Sequence, residues 1–153
     1  MIIPTHEEIT LYNNKTKELE RIINTHLEKN EYEQIILLFD DQETKILTSK
    51  NSRAYVLQII AHLIKYEMDL TGKTSFANRN TAQMIYIFRT VSLYLRRLEF
   101  GFPEDLQREL LHYSEQEKLS VELLIGILMN NTKLVHKQII IDRLQKMIGE
   151  RYE

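Results

Sequence analysis

Cysteine and tryptophan are absent from the 153 residues, and only two prolines and four glycines occur. Without cysteine there is no disulfide, no thiolate metal ligand and no cysteine nucleophile. So few glycines and prolines leave little punctuation for strands and tight hairpins. No run of about 18 apolar residues appears, so no membrane-spanning helix is expected. Met1-Ile2-Ile3-Pro4 carries neither a charged n-region nor an apolar h-region, and no secretion signal is expected. Twenty Lys and Arg stand against 22 Asp and Glu, a net charge of -2, which excludes a uniformly basic coat for nucleic acid or membrane. The expectation is a soluble, cytoplasmic, single helical domain over residues 1–153.

What is present is helix-forming. Leu, Ile, Glu, Lys and Gln recur every three or four residues along most of the chain. The pattern predicts about seven antiparallel helices, an all-α fold arranged as a helical-hairpin bundle or short solenoid.

A first helix starts near Pro4, with Thr5 and Glu8 at capping-box spacing and Ile9, Tyr12, Thr16, Leu19, Ile23 and Leu27 along one face. Asn30 with Glu33 signals a second start, followed inward by Tyr32, Ile35, Ile36 and Phe39. Ile46 and Leu47 continue that register unless Asp40-Asp41 breaks it, so the path of residues 40–50 is left open. Asn51 or Ser52 opens a third helix that ends at Leu70, with Thr71-Gly72 as its stop. Two seams run along it, Val56, Ile59, Leu63, Tyr66 and Leu70 beside Leu57, Ile60, Ile64 and Met68. Only Gln58, His62, Lys65 and Asp69 form a polar stripe, which makes this the expected central helix.

Residues 72–80 read as a loop. Asn80 or Thr81 caps a fourth helix with the seam Met84, Phe88, Val91, Leu95 and Leu98. Gly101 is the expected left-handed residue at its end, and Pro103 opens a fifth helix carrying Leu106, Leu110 and Tyr113. Ser120 caps a short sixth helix with Val121, Leu124, Ile125 and Leu128. Asn130-Asn131 separate it from a last helix with Leu134, Ile141, Leu144 and Ile148.

The run from Lys29 to Phe39 resembles the start of the second helix of a tetratricopeptide repeat, whose usual pattern is Gly-Asp-Tyr-Glu-Glu-Ala-Ile-x-x-Tyr. Tyr32, Glu33, Ile36 and aromatic Phe39 fit it. Asn30 stands for the glycine, and Ile35 for the alanine that lets helices approach closely. The resemblance implies a stack of helical hairpins offering a groove to a protein or peptide.

Few residues form a chemical constellation. Gly72-Lys73-Thr74 looks like the end of a phosphate-binding loop, but position 67 is Glu67 where a glycine is needed, and a helix precedes it. Glu109 and His112 form the E-x-x-H pair used in carboxylate-bridged di-iron bundles, which need a second such pair and two further glutamates. No other histidine has a glutamate three residues before it, so a shared site would require a homodimer. Asp40, Asp41 and Glu43 could hold magnesium, although a charged helix terminus explains them better. With no convergent acid, base or nucleophile, the chain is read as no enzyme, with no cofactor and no metal.

Charge is distributed unevenly. Residues 1–50 hold 6 basic and 10 acidic side chains, residues 51–100 hold 7 and 3, and residues 101–153 hold 7 and 9. Arg53, Lys65, Lys73, Arg79, Arg89, Arg96 and Arg97 make the central excess. Arg89 and Arg96 share one face of the fourth helix, with Arg97 about 100° round, and Tyr86, Leu93 and Arg97 fall along one line. Tyr86, Arg89, Arg96 and Arg97 are therefore the candidate partner-binding residues. One expectation is that these arginines pair with the acidic first and last helices; the other is an anion-binding face. The functional expectation is a non-enzymatic interaction module for a protein or peptide, and homo-oligomers are compatible with it. The alternative is a nucleic-acid-binding regulator that uses the central basic face.

Overall fold

The computed structural model describes residues 3–131 and 133–152, and among them the backbone forms eight α-helices and no strand. The eighth helix arises because the stretch after Asn30 divides in two. α1 (His6–Glu28) is followed by α2 (Tyr32–Leu37), a 3-10 turn over Leu38–Asp40, and α3 (Gln42–Lys50). Asp41 is extended, and its side chain accepts the Thr44 N–H at 3.3 Å, so the aspartate pair both ends one helix and caps the next. The chain continues through α4 (Ser52–Thr71), α5 (Thr81–Glu99), α6 (Glu104–Gln116), α7 (Val121–Asn130) and α8 (Lys137–Tyr152). Among the described residues no helix is long and apolar enough to cross a membrane.

Two compact units divide the chain, Met1–Ile85 and Tyr86–Glu153. In the N-terminal unit α4 packs against α1, α2 and α3. Leu57, Ile60, Leu63 and Ile64 of α4 are buried, together with Leu19, Ile23 and Leu27 of α1, Ile35 and Phe39. Each such side chain contributes roughly 1.5–3 kcal/mol of burial. The ends of the α1 and α4 seams differ from expectation, since Ile9 and Leu70 are exposed. In the C-terminal unit α7 packs on α8, and the Tyr94 ring lies 6.0 Å from that of Tyr113, linking α5 to α6.

Helix ends follow their side chains. Thr5, Asn51 and Ser120 accept from the third residue on, at 3.1, 3.0 and 3.1 Å. Asn80 and Gln83 exchange two bonds of 2.9 Å, a reciprocal capping box that opens α5. Gly72 stops α4 in the left-handed region at φ 74, its N–H donating to Met68 O at 2.8 Å. This disposes of any phosphate-loop geometry at Gly72-Lys73-Thr74, where a helix end leads into a polar loop.

Three further sequence expectations need correcting. Asn30 does not cap α2; it ends α1 at φ 55, with Asn30 N–H bonded to Leu27 O and Glu31 N–H to His26 O. Asparagine tolerates that left-handed conformation, which is why it serves an end rather than a start here. Gly101 is not the left-handed residue after α5; Phe102 is, at φ 47, with its N–H on Leu98 O at 3.0 Å and the Arg143 guanidinium 5.4 Å from its ring. Leu134 is buried but precedes α8, whose buried face is Ile140, Ile141 and Leu144.

Candidate functional site

Some charges of the N-terminal unit are paired within it. Lys15 Nζ lies 3.2 Å from Glu43 Oε1, the Arg21 guanidinium binds Glu18, and Arg53 of α4 pairs with Glu20 of α1. The Arg21 hydrogen bond holds the Glu18 carboxyl below its ordinary range and raises Arg21 in turn. Glu67 is 1% exposed in the last turns of α4, and it accepts from both the N–H and the hydroxyl of Ser75. It ties the 72–80 loop back onto the helix, with Phe76 fully buried beneath and Arg79 Nε donating to Ser75 O at 3.1 Å. Of the acidic trio weighed for magnesium, Asp41 is spent on a helix cap and Glu43 on Lys15.

α5 is built differently. Met84, Ile85, Ile87, Val91, Leu95 and Leu98 are buried, which fixes the rotation of the helix and turns the opposite face outward. That outward face carries all four candidate residues, Tyr86, Arg89, Arg96 and Arg97, each exposed. Leu93 lies among them, and Phe100 follows just beyond the helix; both are exposed. None of Arg89, Arg96 and Arg97 has an ion-pair or hydrogen-bond partner among the described residues. The internal pairing expected for the central arginines is met by Arg53 and not by these three. Between Thr81 and Glu99 the single acid is Glu99, whose carboxylate accepts the Val135 N–H. Arg96 and Arg97 also occupy the last turn, where cations meet the negative end of the helix dipole.

Glu109 and His112 of α6 are both exposed, and no group of three possible metal-ligating His, Cys, Asp or Glu occurs among the described residues.

Two features escape the sequence reading. Phe100 completes the α5 face, and the seven-residue step from Tyr86 through Leu93 to Phe100 is the signal that would have included it. The other is a cleft of about 460 Å³ in the N-terminal unit, floored by Leu19, Ile22, Leu37, Leu38 and Leu47. Its hint was the unbroken run Ile35-Ile36-Leu37-Leu38-Phe39, more apolar residues in a row than one helix face can bury.

The chain matches no protein-family model, no curated protein and no solved structure.

Proposed function

We propose that this chain is a non-enzymatic helical interaction module that binds a protein or peptide partner through the outward face of α5. The observation that carries this reading is the set of three exposed arginines without partners among the described residues, interleaved with exposed Tyr86 and Leu93. Arginine and aromatic side chains are the groups enriched where interfaces draw most of their energy. The likeness of Lys29–Phe39 to a tetratricopeptide helix supports the same class of function.

A nucleic-acid-binding regulator is the second reading, favoured by the absence of any carboxylate from Thr81 to Leu98. The two part on salt. Phosphate binding releases counterions, so log affinity falls with log salt by about 0.9 per contact on duplex DNA. A protein partner held partly by apolar contacts gives a shallower dependence.

The test compares partners captured by the wild-type chain and by the R89Q/R96Q/R97Q variant from nuclease-treated extract. Specific proteins retained by the first and lost by the second, with both folded, are expected. Identical capture by both would remove α5 from the function.

A further inference from the structure

The stripe on α5 also describes what should cover it, and the inference rests on the reading just proposed. Tyr86, Leu93 and Phe100 come at seven-residue steps and are 63%, 60% and 89% exposed. Arg89 and Arg96, also seven apart, alternate with them, and Arg97 lies one position round. Seven residues make nearly two turns, so within α5 Tyr86 lies in line with Leu93, and Phe100 follows in the turn just past the helix end, the whole face running about 20 Å. Across it the groups spread over about 100° of the helix surface, the apolar ones in the middle, Arg97 on one side and Arg89 and Arg96 on the other.

Four occupants can be weighed against that geometry. A second copy laid α5 against α5 would bring six guanidinium groups together with no carboxylate among the stripe residues, and like charges so placed repel. Duplex DNA would satisfy the arginines through its phosphates but leave Leu93 and Phe100 unmatched. An anionic bilayer would take the arginines at its headgroups, but its binding scales with buried apolar area, and Tyr86, Leu93 and Phe100 supply little of it. A helix with apolar groups at i, i+3 or i+4 and i+7, flanked by carboxylates, matches every group on the stripe.

We infer that the α5 stripe takes an acidic amphipathic helix from another protein. Its apolar side chains pack against Tyr86, Leu93 and Phe100, and its Glu or Asp residues pair with Arg89, Arg96 and Arg97. Charge-assisted guanidinium–carboxylate bonds set the register, because a slip of one turn would leave arginines opposite leucines.

The test titrates the full chain into fluorescent peptides followed by anisotropy. The probe is a helical peptide of about three heptads, with Leu at a and d and Glu at e and g. Its controls are a scrambled peptide of the same composition, a Lys-for-Glu peptide, a short DNA duplex and phosphatidylserine-containing vesicles. The patterned Glu peptide should bind at least about tenfold tighter than its scramble, since patterned apolar contacts and up to three ion pairs are both at stake. R89E/R96E/R97E, checked for helicity by circular dichroism, should lose the Glu peptide and gain the Lys peptide. L93A/F100A should weaken the Glu peptide while keeping its salt dependence. Equal binding of patterned and scrambled peptides would overturn the inference, yet leave a partner-binding face standing. So would no binding of any probe while the Gln variant still loses captured proteins. Duplex or vesicle binding through the same arginines, without peptide binding, would overturn both the inference and the protein-partner reading.

Discussion

In the N-terminal unit Arg53 reaches from α4 to Glu20 of α1 and Lys15 reaches Glu43, so cations join helices that are distant in sequence. On the part of α5 that belongs to the C-terminal unit, Arg89, Arg96 and Arg97 stand exposed with no partner among the described residues. Arg53 and these three come from the same central block of positive charge, and the sequence count cannot tell them apart. What separates them is the opposite helix: Glu20 is largely covered, its side chain 16% exposed beside Arg53. A cation with a half-buried acid facing it is part of the architecture. A cation with none is available to something else.

Removing charges from each region should widen the contrast. The largest effect is expected at Glu67, whose loss removes two bonds to Ser75 beside buried Phe76. Glu67→Ala should cost about 1–3 kcal/mol in chemical denaturation and loosen the 72–80 loop in hydrogen exchange. An unchanged denaturation midpoint would show that the loop is not held this way.

Arg53→Ala should cost less, up to about 1 kcal/mol, because an ion pair that is partly open to water is weakened by solvent. Glu20→Ala should cost a similar amount, and the double variant less than the sum of the two. Strict additivity in that cycle would deny the pair.

The smallest effect concerns Glu18. The Arg21 bond depresses its pKa, so the stabilisation it gives is present above the ordinary carboxylate value and disappears as pH falls through the lowered one. Both side chains are exposed, and the change in stability should be slight. The direction is readable by carboxyl NMR titration: Glu18 should titrate low in the wild type and move up in Arg21→Gln. A midpoint unmoved by that substitution would contradict the assignment.

Much of the fold is legible in the sequence because it depends on local chemistry. The apolar period places α1, α4 and α5, Asn51 and Gly72 bound α4, and Ser120 starts α7. The misread positions are those where a distant or unusual backbone requirement decides. Phe102 takes a left-handed φ beside a glycine that could have taken it, and Arg143, 41 positions on, lies over its ring. Glu67 follows Leu63 and Ile64 on the buried face, where bonds from the returning Ser75 help make a carboxylate tolerable. For the candidate site, spacing alone groups Tyr86, Arg89, Arg96 and Arg97, and all four are exposed. Whether the arginines had partners depended on helices brought near by folding, which periodicity does not encode.

The account turns on a dissociation between stability and binding, and one paired experiment reads both. R53Q and R89Q/R96Q/R97Q are melted and then titrated with the patterned Glu peptide, beside the wild type. The prediction is that R53Q melts lower but binds as the wild type does. The triple variant, melted in salt that screens the helix-dipole contribution of Arg96 and Arg97, should stay within about 0.5 kcal/mol of wild-type stability and lose the peptide. A triple variant that unfolds readily, or one that keeps full affinity, would contradict the claim that the α5 arginines serve a partner rather than the fold.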